Sequence, residues 1–309
     1  MRMWHKIFLI ALILFGAAAA MYLLAIRHPV TQNASGDSTA ILVVAAENFW
    51  GSIAREIGGA RVRVRSIVSD PNADPHEYET DAGTARAVAE AQYVIENGAG
   101  YDSWIGKLLE AEPNPDRKTL KVADLLQKKE GDNPHFWYNP EYVNLVAAQI
   151  THDLTAIDPQ HAGTYAMNYV NLQSSLARYQ NQIAEIKNRF AGVKVAATED
   201  IFVYLAEAAG LDLVSPPAFM QAVAEENDPP AESIVQFEDQ LKSRAVRVLV
   251  YNQQTITPLT KNMKRLADAH GIPTIGITET VQPSDASFEA WMNGEIAALA
   301  RALAQGISR

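Results

Sequence analysis

Residues 158–190, DPQHAGTYAMNYVNLQSSLARYQNQIAEIKNRF, stand between two halves of the chain that share one pattern of short apolar runs. Six apolar side chains recur in this segment at steps of four and three residues: Leu172, Leu176, Tyr179, Ile183, Ile186 and Phe190. The spacing predicts one amphipathic helix, with Asp158 as N-cap and Pro159 at its first position. Such a helix is about 45 Å long and could connect two domains as a stiff strut. An ordinary surface helix within one domain has the same periodicity.

Short apolar runs alternate with helical patterns on both sides of this segment. Strands are predicted at 40–47, 61–68, 91–97, 193–198, 211–215, 246–251 and 273–278. Helices are predicted at 48–58, 84–91, 200–209, 231–243 and 257–270. This alternation is typical of parallel sheets covered by helices on both faces. We therefore predict an α/β fold with two lobes, residues 40–157 and 191–309, joined by the helix at 158–190.

The N-terminal 27 residues contain an uncharged stretch at 7–26 that follows Arg2 and Lys6. A helix of that length matches the roughly 30 Å hydrocarbon core of a bilayer. The stretch is predicted to be either an uncleaved membrane anchor or a signal peptide cleaved at the small residues 17–20. Both alternatives place the body outside the cytoplasm. The polar residues 28–39 are predicted to be a linker.

The composition excludes several classes of function. The chain has 309 residues, a net charge of −10 and no cysteine. Without the basic residues of the N-terminal segment the charge is −13, which disfavours nucleic acid as a partner. The absence of cysteine excludes disulfides, thiolate ligands and attachment of a lipid to an N-terminal cysteine. Any metal ligands must be nitrogen or oxygen atoms.

Two histidines share an unusual setting directly after a proline. His76 lies in NADPHEYET, residues 72–80, and His135 lies in GDNPHFWYNP, residues 131–140. Proline restricts the loop before any ligand binds, so less entropy is lost on binding. One such histidine alone is more often a hydrogen-bonded turn residue, but the duplication favours a ligand site. The remaining histidines, His28, His152, His161 and His270, are interpreted as structural or exposed.

Two glutamates are duplicated in the same way at the ends of predicted strands. Glu199 follows VKVAAT and Glu279 follows PTIGIT. A buried carboxylate there requires a cation or a strong hydrogen-bond donor. An equal alternative is that each glutamate only stabilises the positive N-terminus of the helix that follows it. Together with the two histidines they supply two nitrogen and two oxygen ligands, which suit manganese, iron or zinc. Calcium and magnesium prefer oxygen alone.

Several motifs follow one another in a familiar order: a targeting segment, DPHEYE, NPHFWYNP, a long helix, ATEDIF, NDPPAESI and GITET. This order resembles the metal-specific solute-binding proteins of bacterial ABC importers, a cluster with zinc and manganese receptors. The resemblance covers roughly residues 40–305. It implies two Rossmann-like lobes joined by one long helix, with one metal ion in the cleft between the lobes.

The resemblance implies His76, His135, Glu199 and Glu279 as the four ligands, with Asp285 as the fallback for the fourth. At the third position zinc-type members commonly have histidine and manganese-type members glutamate. Zinc-type members also often carry a histidine-rich loop between the first two ligands, and here the span 98–132 has no histidine. Both departures favour manganese or iron over zinc.

The implied function is that of a receptor in the periplasm or on the outer face of the cytoplasmic membrane. It would bind one divalent ion (manganese, zinc or iron) as a monomer and deliver it to an ABC permease and its ATPase, without catalysis. One alternative is a receptor for a metal chelate or small organic solute, lined by the aromatic run 136–138. A metal-dependent hydrolase is less favoured, because the sequence has no H-E-x-x-H helix.

Overall fold

Two sheets of four parallel strands form the framework of the computed structural model, which describes residues 40–70 and 78–305. The first sheet contains β1 (Ile41–Glu47), β2 (Val62–Val68), β3 (Tyr93–Glu96) and β4 (Lys118–Lys121), in the order β2-β1-β3-β4. The second contains β5 (Lys194–Ala197), β6 (Asp212–Leu213), β7 (Leu249–Asn252) and β8 (Thr274–Ile277), in the order β6-β5-β7-β8. The same topology thus occurs twice, and the predicted two-lobed α/β fold is confirmed.

Helices connect the strands, as parallel pairing requires. In the first lobe these are α1 (Asn48–Gly58), α2 (Ala82–Glu90), α3 (Ser103–Ala111), α4 (Val122–Leu125) and α5 (Pro140–Ile157). The long α6 (Ala162–Phe190) follows, and then α7 (Val203–Ala208), α8 (Pro217–Ala224), α9 (Ala231–Lys242), α10 (Pro258–Ala269) and α11 (Phe288–Gln305). Short 3-10 turns lie at Gly59–Arg61, Phe136–Tyr138, Pro159–His161 and Asp200–Phe202.

The apolar side chains of the central strands alternate between two faces of each sheet. In β1, Val43 belongs to one core cluster and Val44 to another, and β7 divides Val250 and Leu249 in the same way. Both sheets are therefore covered on both faces, as predicted. The inner faces of the two sheets join a single apolar cluster that also contains Leu176 of α6. The two lobes thus share one continuous core.

The predicted long helix is present, and all six apolar residues of its stripe are buried. Helical conformation begins at Pro159 with Asp158 at the N-cap position, as predicted, but the first turn is a 3-10 turn and the α-helix begins at Ala162. Asp158 does not cap this helix with its side chain. Its carboxylate instead accepts hydrogen bonds from His161 Nδ1 at 2.8 Å and Tyr165 Oη at 2.9 Å.

The C-terminal helix α11 returns to the first lobe, which the sequence did not predict. It packs against α6 and also contacts α1. At its start, the backbone N–H of Phe288 donates to Ser52 Oγ at 3.0 Å.

Among residues 40–70 and 78–305, no helix is both long and apolar enough to cross a membrane. The predicted anchor or signal peptide at 7–26 and the linker at 28–39 lie outside the described residues.

Candidate metal centre

Three predicted ligand residues, His135, Glu199 and Glu279, lie together in the structure. Each offers a ligand atom, and these atoms lie within 4.8 Å of one another. The three side chains are only 1%, 2% and 1% exposed, respectively. Both glutamates follow the carboxyl ends of second-lobe strands, where open α/β sheets bind ligands. Two buried carboxylates beside an imidazole form a donor set suited to a divalent transition-metal ion.

The fallback ligand Asp285 and the histidines His152 and His270 do not belong to this cluster. His76 falls within residues 71–77, outside the described part of the chain. Asp285, the fallback ligand, is exposed and does not belong to the cluster. His152 has a 73% exposed side chain, and His270 directly follows α10.

Asn133 determines which ring nitrogen of His135 carries the proton. The Asn133 amide nitrogen donates to the Asp200 carbonyl at 2.7 Å, so its oxygen faces the histidine. That oxygen accepts from the His135 backbone N–H at 2.9 Å and from Nδ1 at 2.8 Å. Asp200 Oδ1 lies 3.3 Å from the same Nδ1. Because the Asn133 oxygen can only accept, Nδ1 holds the proton, and Nε2 has the lone pair that a metal ligand needs.

Asn252, at the end of β7, lies between the two glutamates. Its Oδ1 accepts the backbone N–H of Gln254 at 2.9 Å, which fixes the orientation of the amide. Its Nδ2 donates to Glu199 Oε1 and Glu279 Oε1, at 2.5 Å in each case. Glu279 Oε2 accepts a further hydrogen bond from Tyr101 Oη at 2.7 Å. The carboxylates are thus held by donors from both lobes.

The aromatic run Phe136, Trp137 and Tyr138 is buried in the shared core. Trp137 stacks on Phe49 with ring centroids 4.1 Å apart, and its ring lies 5.2 Å from the ring of His135. This burial corresponds to packing of the run within the core. It also places the apolar ring of Trp137 beside the His135 imidazole, which strengthens electrostatic interactions there.

A further carboxylate, Glu295 of α11, supports the Glu279 loop. Burial raises its pKa to about 7, although hydrogen bonds from Tyr138 and Thr278 partly offset this. Tyr138 Oη donates to Glu295 Oε2 at 2.6 Å, and the Thr278 backbone N–H donates to Oε1 at 2.9 Å. Sequence reasoning missed this group because it lies in a helix with no motif around it.

Asp102 shapes the loop that carries Tyr101. Its carboxylate accepts the backbone N–H groups of Asn97 at 2.6 Å and Gly98 at 2.7 Å. The neighbouring Glu47, at the end of β1, is fully buried, and burial together with Asp102 raises its pKa well above its usual range. These carboxyl groups do not belong to the ligand cluster.

Side chains of the first lobe hold both glutamate loops of the second. Asn48 forms two hydrogen bonds with the backbone of Val281, at 3.1 and 2.9 Å. The Thr278 carbonyl, next to Glu279, lies 2.7 Å from Tyr138 Oη and shares the single hydroxyl hydrogen of Tyr138 with Glu295. The Glu199 loop is held by the bond from Asn133 to Asp200 described above. The ligand geometry therefore depends on both lobes.

The fold and the site define the class: a two-lobed α/β protein with a buried cluster of nitrogen and oxygen ligands to which both lobes contribute. The chain belongs to the ZnuA family, described as periplasmic component A of the zinc-uptake complex, whose family model matches residues 43–302.

Relatives of known class match most of this chain. The metal ABC transporter substrate-binding lipoprotein SsaB of Streptococcus sanguinis is 26% identical over 230 residues, covering 70% of this chain and 73% of its own. The manganese ABC transporter substrate-binding lipoprotein PsaA of Streptococcus pneumoniae is 25% identical over 249 residues, covering 75% and 79%.

Solved structures show the same fold. A crystal structure of ZnuA superposes with a TM-score of 0.68 at 23% identity, covering 85% of this chain and 99% of its own. The periplasmic zinc-binding protein TroA of Treponema pallidum superposes with a TM-score of 0.72 at 15% identity, covering 87% and 100%. Both likenesses concern the fold.

Proposed function

We propose that this protein captures one divalent transition-metal ion outside the cytoplasm and delivers it to an ABC permease driven by an ATPase, with no catalytic step. The observation that carries this proposal is the buried cluster of His135, Glu199 and Glu279, whose ligand atoms lie within 4.8 Å of one another. Two ionised carboxylates at so short a distance in a buried site repel each other unless a cation or hydrogen-bond donors compensate their charges. An ion is the compensation that fits the family.

We propose His76 as the fourth ligand, because its Pro-His setting duplicates that of His135. The ligand set would then contain two imidazole nitrogens and two glutamates. Manganese, iron and zinc all accept such a set. The similar proteins described above include one named for manganese and one named for zinc. The glutamate at position 199, where zinc-type members commonly have histidine, supports manganese or iron.

The shared core supports delivery with little relative movement of the lobes. We propose residues 40–157 and 191–309 as the lobes and 158–190 as the connecting segment, although α11 also packs on the first lobe. Because one apolar cluster crosses both sheets, a hinge between them would expose core side chains. Rearrangement of the ligand loops is the remaining route for signalling that an ion is bound. We further propose a monomer, attached to the membrane through residues 7–26 if these are retained.

The experiment is a titration of chelator-treated protein with Mn²⁺ and Zn²⁺, followed by elemental analysis of the loaded protein. We expect one ion per chain. Glu199→Gln should weaken binding by more than about 100-fold, because loss of a ligand exceeds the 10–100-fold effect of outer partners. His76→Ala should have an effect of the same size.

Asp285→Asn is the matched control, because it also neutralises a carboxylate, at an exposed position outside the cluster. It should bind both ions as the unaltered protein does. Absence of a bound ion, or equal losses for Glu199→Gln and Asp285→Asn, would contradict the proposal.

A further inference from the structure

One amide group takes a position between the two ligand carboxylates. Asn252 Nδ2 donates to Oε1 of both Glu199 and Glu279, and Thr255 Oγ1 is a more distant acceptor at 3.1 Å. An amide nitrogen carries two hydrogens, and the two nearest acceptors here are one oxygen of each glutamate. The amide is thus a hydrogen-bond donor that the two carboxylates share.

The backbone holds this amide in a fixed place. Asn252 is the last residue of β7 and lies opposite Ile277 in the parallel pairing with β8. The next residue, Gln253, donates its N–H to the Ile277 carbonyl at 2.9 Å. The Asn252 side chain is 1% exposed, and its Oδ1 is bound to the Gln254 backbone N–H. The amide therefore cannot turn its oxygen towards the carboxylates without losing that bond.

We propose that Asn252 is a positioning residue that substitutes for the cation: its amide compensates both glutamates whenever no ion is bound, and thereby lowers the affinity for the ion. This inference rests on the proposed function. The partial positive charge of the amide and the full charge of an ion act on the same two carboxylates, so an arriving ion weakens hydrogen bonds that already stabilise the site. Part of the attraction for the ion is thus offset, and the ion leaves more easily when the permease receives it.

The inference requires unequal effects on the two states of the protein. Removing the amide destabilises the ion-free protein, in which it compensates two buried charges. It destabilises the ion-loaded protein less, because the ion takes over that role. By linkage, the variant must then bind the ion more tightly. A residue that only maintained the fold would lower the stability of both states equally and leave the affinity unchanged.

The experiment measures thermal unfolding and Mn²⁺ and Zn²⁺ affinity for the full chain and for Asn252→Ala. We expect Tm to fall more without metal than with saturating metal, and the dissociation constant to decrease by about tenfold, the equivalent of one hydrogen bond to a charged group. Asn252→Ser keeps one hydroxyl donor and should have an intermediate effect. Asn262→Ala is the matched control, because Asn262 Nδ2 donates to a single glutamate, Glu238, at 3.4 Å, in a contact between α10 and α9 outside the ligand cluster.

Each outcome decides the inference. Weaker binding by Asn252→Ala, or an equal fall in Tm with and without metal, overturns it while leaving the proposed function intact. Failure of the unaltered protein to bind either ion overturns the proposed function and the inference together. If Asn252→Ala does not fold without metal, adding Mn²⁺ or Zn²⁺ should restore the folded state. A variant that stays unfolded with metal shows a purely structural role and overturns the inference.

Discussion

Replacing Asn133 by alanine removes three hydrogen bonds that connect His135 to the Glu199 loop. Two of these bonds end at the Asn133 amide oxygen, from the His135 backbone N–H at 2.9 Å and from Nδ1 at 2.8 Å. The third runs from the Asn133 amide nitrogen to the Asp200 carbonyl at 2.7 Å. The change therefore releases the histidine ring and the neighbour of Glu199 at the same time.

The magnitude follows from these contacts. Partners that orient a metal-bound histidine typically change affinity by about 10–100-fold, or about 1.4–2.7 kcal/mol. The Asp200 carboxylate, with Oδ1 3.3 Å from His135 Nδ1, still favours a proton on Nδ1 in the variant. The expected loss of Mn²⁺ affinity is therefore at the lower end, about tenfold. Three lost hydrogen bonds should also reduce the free energy of unfolding by about 1.5–4 kcal/mol.

The assay is competition between the protein and a fluorescent Mn²⁺ indicator at pH 7.5, with Tm measured on the same samples. Asn114→Ala is the control, because Asn114 Oδ1 likewise accepts the backbone N–H two residues on, from Asp116 at 3.0 Å, but in an exposed turn. Asn114→Ala should leave the affinity unchanged. A loss below threefold for folded Asn133→Ala, or an equal loss for Asn114→Ala, would refute the reasoning.

Three further predictions concern stability. Leu176→Ala should lower the free energy of unfolding by about 2–5 kcal/mol in denaturant titrations, because Leu176 is fully buried in the core that both lobes share; a cost below 1 kcal/mol would contradict that packing. Burial and the neighbouring Glu289 raise the pKa of Glu56 from an unfolded value of 4.5 to about 8, so the native state takes up a proton first as pH falls from 8. The contribution of Glu56 to stability therefore rises as pH falls through the folded pKa and is complete below 4.5. Glu56→Gln should flatten the dependence of Tm on pH between these two values. An unchanged dependence would exclude Glu56 and Glu289 as its cause. Removing the metal with a chelator should lower the free energy of unfolding by about 2.7 kcal/mol, compared with protein in a free ion concentration about 100 times the dissociation constant. An unchanged Tm would argue against binding of the ion to the native state.

The elements that the sequence predicted are those with a strong local pattern. The apolar runs of β1 and β7 are short and rich in β-branched or aromatic residues, and the stripe of α6 recurs at steps of four and three residues. The sequence did not predict β4, which consists of the polar run KTLK with one buried residue, Leu120. Its strand conformation comes from pairing with β3, a tertiary contact that no local pattern encodes. The 3-10 turn before α6 was not predicted, because the Asp158 carboxylate binds the side chains of His161 and Tyr165 in place of the backbone.

The candidate ligands could be predicted from the sequence, whereas the residues that hydrogen-bond to them could not. His135, Glu199 and Glu279 were predictable because each stands beside a proline or at the end of an apolar strand, in a duplicated motif. Asn252 and Tyr101 were not, because an asparagine after a strand and a tyrosine in a loop are common residues. Their roles depend on the register of β7 with β8 and on the contact between the lobes. Such supports become visible only when the fold brings distant segments together.

The balance between the shared core and the polar contacts indicates where the protein opens to release an ion. Separating the lobes would expose a continuous apolar cluster, at about 25 cal/mol for each Å². The Glu279 loop is held to the first lobe chiefly by hydrogen bonds from Asn48, Tyr101 and Tyr138, each worth about 0.5–3 kcal/mol net. Breaking two or three of them costs a few kcal/mol, the range in which a minor conformation is populated at about 0.1–10%. We therefore expect the ion to leave by movement of the Glu279 loop while the two sheets keep their positions.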